Sequence, residues 1–214
     1  MFGRWRKNKE DAELPQILDV TIDRAVNIDP MAVKLWPADS LLAERPTTLM
    51  VVAQGHCDLG EDSHLHRFYK DDDTAMLQIQ GGDGQKDMRV DEIMLWEYFD
   101  VQYPTSETDW KKTKEAIRQT QFVLQSENEP ITFDRVWFDS SNSPEDPMTY
   151  WETVHSRRDK SAARKIFQTA MLFGRTLSDG EDEMLLVNME EPEESERSVA
   201  YMVGRSLAQH NLEV

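Results

Sequence analysis

From Thr47 onward the sequence is a succession of short runs rich in β-branched and aromatic residues: "TTLMVVAQGHCDL", "HLHRFYKD", "TAMLQIQ" and "DEIMLWEYFDVQY". Clusters of Gly, Asp or Asn separate them, so the runs read as strands and the clusters as their turns. The texture resumes in "QFVLQS", "ITFDRVWFD", "MTYWETVHSRR", "KIFQTAMLFGRTL", "DEMLLVNMEE" and "RSVAYMVGRSL". A chain built this way has to bury alternate side chains of many strands against one another.

Only two segments read as helix. "NIDPMAVKLW" offers Asp29 as N-cap and Pro30 at the first helical position, with Pro37 as a stop. "SETDWKKTKEAIR", residues 106–118, has a Ser/Thr/Asp start, strong helix formers and no internal Gly or Pro. The segment 162–174 fits both periods, because Ile166, Phe167, Ala170 and Gly174 also fall at helical spacing. An internal similarity favours a strand there. Thr74-Ala75-Met76-Leu77 recurs as Thr169-Ala170-Met171-Leu172, and each copy runs on to an Asp-Gly turn and an Asp-Glu strand, "DEIML" and "DEMLL".

The expected fold is therefore α+β and predominantly antiparallel β: two packed meanders of about four strands, for which an internal duplication is one explanation and convergent hairpin chemistry the other. The division is a flexible basic arm (1–12), an N-terminal helix with the first meander (13–105), a connecting helix (106–118) and the second meander (119–214). Equivalence of the copies would put Ala75 and Leu77 on the face matching Ala170 and Leu172, with Met76 and Met171 opposite.

The chain has 214 residues, 39% of them apolar, so it can bury a sizeable core. No run approaches the roughly 18 apolar residues of a membrane span. The basic start "MFGRWRKNKE" has no apolar run behind it and is not read as a secretory signal; Phe2 and Trp5 among its cations could touch a membrane or an acidic partner. One cysteine excludes an internal disulfide and points to a reducing, cytoplasmic setting. The net charge is −17; outside the first ten residues, 20 basic face 40 acidic residues. Such a surface repels phosphate backbones, so nucleic acid is not an expected partner and a basic protein surface is.

The densest chemistry lies in "GHCDLGEDSHLHRFYKDDD", residues 55–73. On a strand, His64, His66 and Phe68 share one face, and Leu65, Arg67 and Tyr69 share the other. The two imidazoles project together about 7 Å apart, two strand rises. A three-residue turn sets His56 opposite His66, whereas a two-residue turn brings Cys57 to the histidine face. Either register assembles three candidate zinc ligands. Against a metal stand the absent HExxH and CxxC patterns and the remoteness of His155 and His210. No cofactor or metal is expected, and replacing His64 and His66 by Ala is expected to leave folding unchanged. Asp71, Asp72 and Asp73 most simply form the next turn.

"LSDGEDEML" and "EEPEESER" lack calcium-loop spacing, and no P-loop, GxSxG or dinucleotide fingerprint occurs. The segments "AQGHCDLGEDSHLHRFYKDDD", "VDEIMLWEYFDVQYP", "MLFGRTLSDGEDEMLLVNMEE" and "VAYMVGRSL" resemble the YjfK-like family of bacterial cytoplasmic proteins, a domain of unknown function. The resemblance implies no catalytic residues. Relatives encoded near phage-shock-type, small membrane and ATP-grasp proteins imply an accessory role in an envelope-associated system.

The expected function is a non-catalytic binding or adaptor module for a protein partner, basic or membrane-associated, using a strand edge or a groove between the meanders. Its candidate binding residues are His56, His64, His66, Arg67, Tyr69, Asp71, Asp72 and Asp73. The alternative is an enzyme with a metal or polar site around residues 55–73.

Overall fold

The computed structural model describes residues 13–82, 89–126, 129–138 and 143–214. The basic arm and the Asp83-Gly84 turn of the first copy lie outside the described residues. Among those described, the first meander is β2 (Thr48–Gly60), β3 (Ser63–Lys70), β4 (Ala75–Gly81) and β5 (Val90–Gln102); the second is β8 (Met148–His155), β9 (Ala163–Thr176), β10 (Asp182–Pro192) and β11 (Ser198–Ser206). The two do not pack face to face. β5 pairs with β11 and β2 with β8, all antiparallel, so the eight strands close edge to edge into one barrel. Closure leaves no free sheet edge along the joined lengths and replaces the expected groove between meanders by an enclosed interior. Ladder irregularities at Val51/Ala53, Asp58/Gly60, Gln80/Gly81 and Tyr201/Met202 supply local bends of the kind that closure needs.

The interior is built from alternate residues of all eight strands, including Cys57, Leu65, Met76, Met94, Trp96, Tyr150, Ala170, Leu186, Ala200 and Met202. Two further apolar clusters lie outside the wall. One, with Val51, Phe68, Leu77, Ile79 and Leu95, is covered by the N-terminal segment through Ile17, Val20, Ile22 and Val33. The other, with Met171, Phe173, Leu185, Val187 and Val203, is covered by Trp110, Ile117, Leu124 and Phe133. These covers come from α2 (Glu107–Ala116) and the hairpin of β6 (Gln121–Leu124) and β7 (Ile131–Arg135). Strands buried on both faces explain why β4, β9 and β11 carry nearly continuous apolar runs.

Residues 163–176 are strand, paired over 166–176 with β10 and over 163–170 with β8. The repeated tetrapeptide nevertheless does not mark equivalent positions. Thr74–Leu77 lies at the third strand of its meander and Thr169–Leu172 on the second. Met76 points into the barrel and Leu77 out, whereas Met171 points out and Leu172 in. A one-residue offset reverses every face, so four shared letters carried no positional information.

Both helices are peripheral, so the architecture is mainly β. Helix α1 (Pro30–Lys34) starts where the Asp29 side chain accepts the Met31 N–H, and α2 where Ser106 accepts the Asp109 N–H. Two short strands, β1 (Ala25–Ile28) and β12 (Leu212–Glu213), extend the sheet beyond β2. The connection 35–47 crosses the barrel wall and is held by two buried carboxylates. Glu183 of β10 accepts the Leu41 N–H (2.8 Å) and the Ser40 hydroxyl (2.7 Å). Glu97 of β5 accepts the Glu44 and Arg45 N–H groups (2.9 and 2.7 Å). Burial pushes the Glu97 carboxyl up from its ordinary value. Trp36, on this connection, packs against both outer clusters.

Inside the wall, Gly204 of β11 faces Trp96 of β5 across the ladder, and a Cβ at that position would collide with the indole ring. The glycine is there because the ring occupies its side-chain space. Gly204→Ala should therefore destabilise the protein by about 1–3 kcal/mol through overpacking. Urea denaturation of the variant, with its midpoint lowered and its slope unchanged, checks this.

Candidate functional site

The eight candidate residues fall in three separate places. The β2–β3 turn places Glu61 and Asp62 at positive φ, a two-residue turn, yet a bulge at Leu59 restores the pairing of His56 with His66. The histidines therefore lie on the outer face, and Cys57 and Arg67 point inward. Asp71, Asp72 and Asp73 form the exposed turn at the far end of β3, with Asp73 at φ 56°. Asp72 accepts from the Thr74 hydroxyl (2.6 Å), from its N–H (3.1 Å) and from Lys70. Those bonds, the Lys70 ammonium first, hold its carboxyl down at about 2.

On the outer face the three imidazoles stack. The His56 ring lies 5.2 Å from that of His64 and 4.9 Å from that of His66, and His56 Nε2 meets His64 Nδ1 at 3.1 Å. His66 is 1% exposed, and among the described residues neither ring nitrogen has a hydrogen-bond partner. Burial, then its two histidine neighbours, push its pKa down to about 3. Stacked planes do not converge their lone pairs on one point. Among the described residues no group of three or more His, Cys, Asp or Glu side chains is arranged to hold a metal ion. The burial of His66 corrects the expectation that its removal is harmless: truncation to Ala opens a ring-sized void costing about 3 kcal/mol.

Inside the barrel, Arg67 is 1% exposed and each of its three nitrogens has a partner. Its Nε donates to Gln78 Oε1 (3.1 Å), Nη1 to Glu152 Oε2 (2.8 Å) and Nη2 to the Tyr150 hydroxyl (2.8 Å). The Glu152 carboxylate, 0% exposed, also accepts from the Tyr69 hydroxyl (2.5 Å) and from Gln168 Nε2 (2.9 Å). Burial works against the guanidinium charge, but Tyr150 and Glu152 outweigh it and hold its pKa above the ordinary value. Burial pushes the Tyr150 hydroxyl up to about 12, and drives the Tyr69 hydroxyl and the Cys57 thiol upward as well. Gly55 leaves room for this cluster, since a Cβ there would strike the Glu152 carboxylate.

Sequence reasoning missed Glu152, Tyr150, Gln78 and Gln168. The available signal was parity: Arg67 shares a strand face with Leu65, so an inward charge had to find an inward carboxylate on another strand. "TYWETVH" supplies one, two residues after a tyrosine on the same face.

Next to Arg67 the interior opens into a cavity of about 120 Å3. Leu59, Leu65, Met94, Leu172, Met184 and Leu186 make its apolar wall; Arg67, Gln78 and Tyr150 contribute polar groups, and Trp96 and Trp137 add aromatic surface. Among the described residues the buried Trp96 indole N–H has no hydrogen-bond partner. The wall has an opening beside this cavity. β8 pairs with β9 along its whole length, but with β2 only at 152–155 against 54–57. Beyond that, Leu59, Met148 and Tyr150 border both the cavity and an outer groove of about 480 Å3 that His56, Asp58 and Trp151 also line. Trp151 is 51% exposed there.

Arg67→Met should destabilise by about 3–5 kcal/mol, because it strands a buried carboxylate. Arg67→Lys should recover only a minor part, since an ammonium cannot serve three partners in one plane. Chemical denaturation of the three proteins measures this. The His66 pKa sets a second outcome. Between the unfolded value of 6.5 and the folded value of about 3 the unfolded chain binds the extra proton, so stability falls as pH drops below 6.5. From pH 7.5 to 5.5 the native protein should lose about 1.4 kcal/mol more than His66→Phe, in denaturation series at the two pH values.

No helix among the described residues is long and apolar enough to cross a membrane. A relative from Escherichia coli (strain K12), "Uncharacterized protein YjfK", is 25% identical over 195 residues, 89% of this chain and 84% of its own. No solved structure matches. The family model described as "Protein of unknown function (DUF2491)" matches residues 1–213, in agreement with the resemblance carried by the hairpin, and the chain belongs to that family.

Proposed function

We propose that the protein is a non-catalytic binding module whose barrel takes a small, largely apolar molecule beside Arg67. The carrying observation is the cavity of about 120 Å3, walled by Leu, Met and Trp side chains and adjoining a gap between β2 and β8. Concave, mostly apolar sites with a few placed polar groups are the usual form of small-molecule sites, and the mouth of a barrel is a common place for them. The titratable groups nearby favour binding over catalysis. Cys57, Tyr69 and Tyr150 are all pushed away from their reactive ionised forms, and Arg67 and Glu152 are committed to each other. The adaptor role expected from the sequence is compatible: a chain with 41 acidic against 24 basic residues favours a basic partner, leaving the interior for a small ligand.

Methyl-resolved NMR with a set of single-ring aromatic compounds tests the reading. Binding should shift the Leu59, Leu172, Leu186 and Met184 methyl signals together, and Leu172→Phe, which fills the space, should abolish the shifts. Shifts confined to surface residues, or methyl signals unmoved by every compound, would refute an interior site.

A further inference from the structure

We infer that the seam between β2 and β8 is a docking edge for an extended, basic segment of a partner protein. The segment adds to β8 as a strand and sets an arginine side chain beside Trp151 and Asp58. The site lies on the barrel wall and needs no occupant in the cavity.

The seam has a backbone cause. β2 and β8 pair from Gln54 opposite His155 to Cys57 opposite Glu152, and there the ladder stops. Continued in register, it would set Asp58 against Trp151 and Leu59 against Tyr150. The bulge at Leu59 in the β2–β3 pairing falls where the ladder ends, and a bulge bends the strand that carries it. β8 meanwhile stays with β9 as far as Met148. Residues 148–151 therefore have one edge paired with β9, and among the described residues the other edge meets no strand.

Such an edge presents unpaired N–H and C=O groups to another chain, and proteins usually blunt it with charged residues or proline. Met148-Thr149-Tyr150-Trp151 carries neither. The facing end of β2 is blunted by Asp58 and its bulge, so the added strand pairs with β8. The groove of about 480 Å3 beside this edge reaches both faces of the wall. Leu59, Met148 and Tyr150 line it from the inner face, and Asp58, Thr149 and Trp151 from the outer. Side chains of an incoming strand alternate between the two.

That alternation gives the partner's chemistry. Residues turned inward meet Leu59, Met148 and Tyr150 at the rim of an apolar interior, which favours apolar side chains. A residue turned outward meets Trp151 and Asp58. Trp151 is 51% exposed and is propped by Phe167, their ring centroids 5.2 Å apart. A half-exposed indole attracts a guanidinium over its face. Asp58 is exposed and gives Oδ1 to the Gly60 N–H at 2.9 Å; a carboxylate has further lone pairs for a second donor. The net charge of −17 steers a basic partner toward the protein and repels an acidic one. The recognised pattern is apolar-arginine-apolar in extended form, in which main-chain bonds supply affinity and alternate side chains selectivity.

Capped peptides titrated into the full-length protein test this. They are acetyl-TVRVT-amide, its glutamine analogue TVQVT, and two N-methylated forms of the arginine peptide, one methylated at the valines and one at the threonines and arginine. By NMR, the arginine peptide should slow hydrogen exchange at alternate amides of residues 148–151 and shift the Trp151 indole signal. It should bind roughly fivefold to tenfold more tightly than the glutamine peptide, the combined worth of an exposed cation–π contact and an exposed ion pair. One N-methylated form, the one whose methyl groups face β8, should lose binding while the other keeps it. Asp58→Asn retains the acceptor for Gly60; it should weaken the arginine peptide about threefold and leave the glutamine peptide unchanged. Equal binding of the arginine and glutamine peptides, equal binding of the two N-methylated forms, or no shift at millimolar peptide would overturn the docking edge. So would slow exchange at 148–151 before any peptide is added, the sign of an edge already paired within the chain or with a second copy.

Discussion

One ion pair sets the terms for the barrel interior. Arg67 and Glu152 come from different meanders, β3 and β8, and meet in a space closed to solvent. Two charges out of water are tolerable only with good geometry and further hydrogen bonds, and the surrounding residues supply several. Gln78 and Tyr150 take the guanidinium, Tyr69 and Gln168 the carboxylate, and Gly55 gives up its side chain to make room. The pair can form only when β8 lies against β2, so it reports correct closure of the barrel. An alternative register on either strand would leave a buried charge alone, and that penalty disfavours mispaired barrels.

The outside of the wall follows a related logic with different partners. Glu97 and Glu183 are buried on the outer face, on strands that flank β11; backbone N–H groups of residues 41–45 bond to both, and Arg175 and the Ser40 hydroxyl also bond to Glu183. A loop without regular structure has N–H groups to satisfy, and here two carboxylates from the sheet satisfy three of them. Arg45 answers in the other direction, donating to the Leu42, Trp36 and Pro37 carbonyls. The connection thereby becomes a rigid strap across the barrel and ties the cover of one outer cluster to that of the other.

Strand periodicity made much of this legible in the sequence. The alternation in "HLHRFY" separated His64 and His66 from Arg67 correctly, and the strand assignment of 163–176 follows from its apolar run once both faces are known to be buried. What failed were inferences from letters without geometry. Thr-Ala-Met-Leu occurs twice because both copies need small and apolar residues in doubly buried strands; Met76 and Met171 point to opposite sides. The histidines suggested chemistry by their type, yet His66 is held as a neutral ring under His56. Closure itself was hidden, because it depends on the pairing of β2 with β8 and of β5 with β11, contacts between distant segments that no local pattern encodes.

The short β2–β8 ladder makes one line of the barrel weaker than the others. β5 and β11 are joined over 94–102 and 199–206, while β2 and β8 hold each other only over 54–57 and 152–155. A hoop with one short weld breathes along that weld. Parting the seam further costs only a few backbone hydrogen bonds and leaves both outer clusters intact, so it is a local opening whose free energy lies well below that of unfolding. The lifetime of the seam and the lifetime of the fold thus become separate quantities, set by different strands. The chain can be made more stable through its outer clusters without tightening that seam.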